Sequence, residues 1–345
     1  MDILHNTRPA KINDIGDMPW PSTDAPAACA LVARCPVAGE TPLEDAVALA
    51  TQAGITNLWV KDERGRMGLG SFKALGAAYV IACDAQEGDV SKRTYVTASA
   101  GNHGMSVAAG AAAFGASSVV YIAESVPESF AERLREQGAE VVREGKIYED
   151  SMAAAGAAAE AQGWDLLSDS SWPGYYARPH RLMEGYLVLM AEAIDQMSEA
   201  PSHIFLQAGV GGLAAACAVL ARQVWGDGPV IVVVEPDAAP ALHGSIQAGR
   251  PVESQGPVSD MGRLDCKMPS LIALQGLARD ADAFALITEE EAHAGAGTVM
   301  VAGLPSSSSG AAGIAALLAL SDEQRTALGI TAQSKVLCIL SEGPA

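Results

Sequence analysis

The sequence predicts an α/β protein with two parallel sheets, and three observations carry that prediction. Short β-branched runs alternate with Ala-rich helical stretches along the chain, the pattern of parallel sheets covered by helices on both faces. About eight or nine such runs occur, many for one sheet and comfortable for two. The chain has 345 residues, 49% of them hydrophobic. That is ample for a sizeable core and excludes a disordered chain or a disulfide mini-protein.

The strand runs stand at 57–61, 94–98, 118–123, 140–143, 203–207, 230–235, 284–288 and 335–340. Helical stretches fall between them at 42–53, 71–83, 103–114, 129–137, 148–161 and 181–198. Residues 105–123 are the most apolar stretch, but Gly110 and Gly115 interrupt it. They read as a buried helix followed by a strand, not as a membrane span. The serine run 306–309 is the one low-complexity patch and precedes a helical stretch, as a loop and N-cap would.

Lys and Arg number 22 against 41 Asp and Glu, a formal charge of −19. Such a chain repels nucleic acid and anionic lipid, so neither is an expected partner. An anion would be held locally, by backbone amides and helix N-termini. Six dispersed cysteines with no CxxC pair point to a reduced, cytoplasmic protein. Residues 1–20 mix charge, His and Pro without an apolar core, so no secretory signal is expected. His180 and His243 have no paired ligands at metal spacing, so no catalytic metal is expected either.

Three segments could carry chemistry. In Gly68–Gly76 a lysine, Lys73, stands on a first helical turn behind a Gly-rich turn. The positive end of the helix dipole disfavours its charge, as suits an amine nucleophile, although an exposed helix lysine is the plainer reading. Thr97–Gly104 follows a strand and offers amides and a hydroxyl at a helix start, either a carboxylate cradle or ordinary capping. Gln207–Leu213 repeats strand, Gly loop and helix, a phosphate cradle without GxGxxG spacing or a P-loop lysine.

Together these segments resemble the fold type II, tryptophan-synthase-β-like, pyridoxal-phosphate enzymes, and within them the diaminopropionate ammonia-lyase branch. The residues that carry the resemblance are Val60–Glu63, Gly68–Gly76, Gly101–Gly104, Asp169–Tyr175, Met183–Tyr186, Val234–Asp237 and Ser341–Gly343. They run in family order over nearly the whole chain. The resemblance implies two three-layer α/β domains with the cofactor in the cleft between them. The smaller spans 75–170, and the larger takes 1–74 and 171–345.

The resemblance also implies roles. Lys73 holds pyridoxal phosphate as an internal aldimine and later takes the α proton, with Phe72 beside the ring. Asn102 bonds the cofactor's phenolic oxygen. The amides of Gly209, Val210, Gly211, Gly212 and Leu213 hold its phosphate, and Ser341 meets its pyridine nitrogen. Ser99, Ala100, Gly101 and His103 line the substrate carboxylate, and Asp169 lies near the substrate, with a cap or ion pair as its plainer role. A neutral hydroxyl at Ser341 leaves the ring a weaker electron sink than a carboxylate would, which favours β-elimination over transamination or decarboxylation.

The implied reaction is α,β-elimination from a small β-substituted amino acid such as 2,3-diaminopropionate, giving a 2-keto acid and ammonia in a homodimer. The alternatives are a serine, threonine or hydroxyaspartate dehydratase, a β-replacement enzyme, or a non-catalytic cofactor- or amino-acid-binding protein.

Two departures from the branch stand out. Ala100 occupies the position of an acidic residue implicated in handling the D-isomer, so a preference for L-substrates is expected. Ser307-Ser308-Ser309-Gly310 lacks the usual Glu before Ser-Gly. Cys266 could line the entrance, but reads better as a buried, inert thiol. Asp62 and Glu63 could be an acid and base, but read better as anchors for the loop before Lys73.

Overall fold

Val, Ile and Leu runs form strands because branched side chains pack well on a pleated surface. The computed structural model describes residues 1–9 and 11–344. Its strands are β1 (Asp2–His5), β2 (Leu43–Asp45), β3 (Asn57–Asp62), β4 (Thr94–Ala98), β5 (Ser117–Ile122), β6 (Glu140–Arg143), β7 (Asp165–Leu166), β8 (His203–Gln207), β9 (Val230–Pro236), β10 (Ala283–Ile287) and β11 (Lys335–Leu340). They form a seven-stranded sheet, ordered β1-β10-β9-β8-β11-β3-β2, and a four-stranded sheet, ordered β6-β5-β4-β7. The inner pairings are parallel, and β1 and β2 close the larger sheet as antiparallel edges.

Each sheet is the middle of three layers, because successive side chains point to opposite faces. From the larger sheet, Ile204, Leu206, Ile231, Val233, Leu337 and Ile339 join the core beneath helices Lys73–Glu87, Ala177–Gln196, Gly212–Trp225 and Leu271–Asp280. Their neighbours Phe205, Val232, Val234, Val336 and Leu340 face a second core with Ile314 and Leu317. In the smaller sheet Val120 and Ile122 pack on Ala131 and Leu134, while Val119 and Tyr121 pack on Ala155 and Ala159.

Two features bring the site together. Helices Lys73–Glu87 and Ala177–Gln196 cross closely: a Cβ on Gly185 would lie 2.5 Å from Leu75 O, and one on Gly76 would lie 2.8 Å from the Tyr186 ring. The chain end after β11 stitches two loops. Phe72 N donates to Ser341 O (3.1 Å), Gly343 N to Gly70 O (3.0 Å) and Ser341 N to Gly310 O (3.2 Å), and Ser71 bridges Glu342.

Below the turn before Lys73 lies a buried ionic cluster. Arg66 Nη2 reaches Glu192 (2.6 Å) and Glu63 (2.8 Å), and Lys61 Nζ reaches Glu192 (2.7 Å). Asp62 pairs with Arg64 (2.7 Å). Both acids of the Asp62-Glu63 pair are therefore tied up as anchors.

Three sequence expectations need correction. The helix expected over 42–53 is strand β2 followed by helix Val47–Ala53, because Glu44 pairs with Val60 and draws this segment onto the sheet edge. β1, β2 and β7 bring the strand total among the described residues to eleven, above the eight or nine expected. The serine run is a loop but supplies no N-cap: helix Ala312–Ala319 is capped by Ala311, while Ser307 Oγ accepts from Gly310 N at 2.9 Å. The apolar stretch 105–123 is helix then strand as expected, and among the described residues no helix is long and apolar enough to cross a membrane.

Candidate active site

Lys73 begins its helix, and its backbone is pinned there. Its N–H donates to Ser71 Oγ (3.1 Å), and its carbonyl accepts from Ser106 Oγ (2.6 Å). Its Nζ lies 2.5 Å from Asp169 Oδ2, beside the rings of Phe72 and Tyr186, which meet edge-to-face at 4.9 Å. Asp169 is held by a tight hairpin, in which Trp172 and Tyr175 stack at 4.3 Å and Tyr175 Oη donates to Leu166 O.

The electrostatics differ from the expectation of a lysine with a depressed pKa. Burial does push the Lys73 ammonium down, but the Asp169 carboxylate outweighs burial and lifts it above the usual lysine range. For Asp169, burial raises and Lys73 lowers, and the net holds the carboxyl well below its usual range. The helix dipole loses because a full charge at contact distance exceeds a half-charge spread over a turn.

His103 is buried, with Nε2 2.9 Å from Leu167 O and Nδ1 unpartnered. Burial lowers its pKa first, so the ring is neutral at pH 7, with Nε2 donating and Nδ1 left to accept. The Tyr186 hydroxyl is also buried and unpartnered, and burial pushes its pKa up, keeping the proton on. Ser99 Oγ accepts from Gly101 N at 3.3 Å, and Ala100 packs partly against the Met105–Leu134 cluster. Gly104 is obligatory, since a Cβ there would sit 2.0 Å from Ser99 O.

The Asn102 side-chain amide donates to a Glu342 carboxylate oxygen, and Ser307 Oγ donates to the other. Ser341, at the end of β11, is 5% exposed.

Across the cleft, helix Gly212–Trp225 starts at Gly211, whose φ of +98° favours glycine. No side chain caps that helix, so its first amides remain to receive an anion. A Cβ on Gly209 would lie 3.0 Å from Cys266 Sγ and 3.1 Å from Arg263 O. Cys266 is half-buried, and burial, then Asp169, pushes its thiol up to about 12. It is therefore a thiol and not a thiolate, and it stands in the cleft wall.

The structure thus brings Lys73, Phe72 and Asp169 together, with His103 close enough to feel both charges of the Lys73–Asp169 pair. Asn102 and Ser341 meet the same wall through the chain end. Sequence reading gave Tyr186, Glu342 and Arg263 no role. The first two lie in motifs that match the family, Met183–Tyr186 and Ser341–Gly343, and that was the available signal. Nothing marked Arg263. His180 contacts Trp20 O, and His243 lies 3.7 Å from Asp2. One group with metal-ligand types, Asp260, Glu289 and His293, lies largely exposed at the surface.

An amine in a cleft, an uncapped helix start for a phosphate and an aromatic wall between them fit an aldehyde-bearing aromatic phosphate. Comparisons with known proteins agree. The family model described as pyridoxal-phosphate dependent enzyme matches residues 35–342. Diaminopropionate ammonia-lyase of Escherichia coli is 31% identical over 337 residues, covering 88% of this chain and 84% of that enzyme. The Salmonella typhimurium enzyme of that name is 33% identical, with 68% of this chain aligned to 65% of its length. A crystal structure of the Escherichia coli enzyme, in complex with an aminoacrylate–pyridoxal-phosphate reaction intermediate, superposes with a TM-score of 0.89 at 28% identity. It covers 99% of this chain and 93% of that one.

Proposed function

The chain belongs to the pyridoxal-phosphate-dependent enzymes, and from that premise we propose that it eliminates the β substituent of a small amino acid, of the 2,3-diaminopropionate kind, releasing a 2-keto acid and ammonia. The observation that carries this reading is the Lys73–Asp169 pair, 2.5 Å apart beside the Tyr186 ring, which also lies 3.6 Å from where a Cβ on Gly212 would stand at an uncapped helix start. Among the relatives it matches over most of its length are diaminopropionate ammonia-lyases.

Bound pyridoxal phosphate supplies an electron sink for the pair left when the α proton departs. The amides of Gly209–Leu213 would hold its phosphate, and Phe72, Tyr186, Asn102 and Ser341 would line the rest of its site. Ser99, Gly101 and neutral His103 orient the substrate carboxylate beside Ala100. Lys73 takes the α proton at Nζ. Asp169 holds that proton in place and offers a counter-charge to a departing amine. Diaminopropionate plus one water then balances as pyruvate plus two ammonia.

The same residues support a second reading, dehydration of a β-hydroxy amino acid. Ala100 favours it, because the acid of the ammonia-lyases is missing there. We place the domain limits at 74/75 and 170/171, a division supported by the four strands of the smaller sheet lying between them. Cytoplasmic residence accords with six unpaired cysteines and the lack of nucleic-acid partners with the −19 charge, while a homodimer rests on the resemblance alone. The deciding experiment is keto-acid release from a panel of L- and D-amino acids, with Lys73→Ala as control. Turnover that survives in Lys73→Ala refutes the assignment, as does no turnover by a protein that binds the cofactor.

A further inference from the structure

The cations around the cleft are satisfied, with one exception. Lys73 is tied to Asp169, Arg64 to Asp62 and Pro305 O, and Lys267 to Ala238 O, Pro257 O and Asp265. Arg263 spans the cleft wall, its carbonyl against Gly209 and its Nε 3.5 Å from Glu342 Oε1. That approach is no hydrogen bond: Nε is buried and unpartnered. Both Glu342 oxygens already accept, from Asn102 and Ser307. Glu342 therefore orients the guanidinium without satisfying it. Among the described residues, no other side-chain contact of Arg263 is polar.

A planar guanidinium held in place with open donors suits a carboxylate, which it can grip with two parallel bonds. Under the proposed elimination, two anions in the cleft already have holders: the cofactor phosphate at Gly209–Leu213 and the α-carboxylate at Ser99–His103. A third has none. We propose that Arg263 is a specificity residue that receives a second carboxylate, on the β carbon of the substrate, so that the preferred class is acidic β-substituted amino acids of the 3-hydroxyaspartate kind.

This rests on the second reading above, dehydration of a β-hydroxy amino acid by the same elimination chemistry, and names its substrate class. The Cα–H and Cβ–O bonds break, and the proton and hydroxide leave as water. The resulting enamine takes up water to give a keto diacid and ammonia.

The test uses the cofactor-loaded enzyme with 3-hydroxyaspartate, serine and 2,3-diaminopropionate, and succinate as an unreactive dicarboxylate followed by calorimetry. Loss of one charge-assisted pair lowers binding by about 10- to 100-fold. Arg263→Ala should lower the ratio of kcat/KM for 3-hydroxyaspartate over serine by that factor, chiefly through KM. It should weaken succinate binding equally and leave the ratio for diaminopropionate over serine undiminished. Arg263→Lys should recover only part of the loss, since it restores charge without the fork.

Equal losses on all three substrates would overturn the proposal. So would weaker pyridoxal-phosphate affinity accompanying those losses, which would make the cofactor phosphate the anion. Wild-type turnover of serine or diaminopropionate with neither hydroxyaspartate turnover nor succinate binding would overturn it too. No turnover of any amino acid counts against the elimination itself, and succinate binding to wild type against Arg263→Ala then still decides the role of Arg263.

Discussion

Asp169→Asn keeps the shape of the side chain and removes its charge. At 2.5 Å and an effective dielectric of about 20, the attraction to Lys73 is about 6–7 kcal/mol. Removing both groups from water offsets part of this, and breaking one side of a buried pair typically costs about 3–5 kcal/mol. At about 1.4 kcal/mol per pH unit, the Lys73 pKa should fall by roughly two to four units.

In the wild type Lys73 titrates above its unfolded value of 10.5, so its pairing stabilises the fold below that pH and is lost as pH rises through the folded value. Asp169 titrates below its unfolded 3.8, so its contribution is present above that pH and is lost on acidification. Between those limits the pair contributes no pH dependence. In the variant, Lys73 is buried without a counter-charge and its folded pKa drops below 10.5. The stability of cofactor-stripped protein should then rise with pH up to that value. Thermal unfolding midpoints from pH 8.5 to 10.5 measure this: flat or falling in this respect for wild type, rising for Asp169→Asn. The rate of cofactor capture, which needs a neutral amine, should also plateau at lower pH in the variant. Parallel profiles for the two proteins in both assays would refute the electrostatic account of the pair.

Gly211→Asp places a Cβ within 3.0 Å of Ala273 and Leu242 at φ +98°, and an anion at the helix start, so cofactor occupancy should collapse; unchanged visible absorbance would make the loop merely structural. Gly104→Ala drives a methyl group against Ser99 O and should cost about 2–3 kcal/mol in denaturant unfolding, with the 99–103 loop displaced. With Ala100 in place, L-substrates should outrun their D-isomers by about 10²–10⁴-fold, the worth of a general base. Ala100→Asp should narrow that ratio, and equal rates on both enantiomers in the wild type would show that another residue supplies the second base.

The inner strands were legible because β-branched runs leave a local signature: the runs at 94–98, 203–207 and 335–340 fall on β4, β8 and β11. β7, with two residues, and β2, with three, are too short to leave a pattern and exist because neighbours offer them pairing partners. The Gly turns of the site were legible because glycine is demanded where a helix starts under an anion or a backbone passes close. The charge state of Lys73 was not, since Asp169 lies 96 residues further on and only the fold brings it within 2.5 Å. Glu342 and Arg263 were silent for the same reason, as each takes its meaning from a loop distant in sequence.

The stitching of residues 341–343 to the turn at Gly70–Phe72 sets the order of events during synthesis. Ser71 and its bridge partner Glu342 are separated by about 270 residues, and at about 5–20 residues per second that interval lasts roughly 15–50 s. Through all of it the Lys73 amine is already made, but the wall that orients it is not. A reactive aldehyde met in that window would find an unshielded amine, no more selective than any other lysine. Specific cofactor loading therefore awaits the synthesis of residues 341–343, and a variant that loosens this seam should misload in cells even where the purified protein loads correctly.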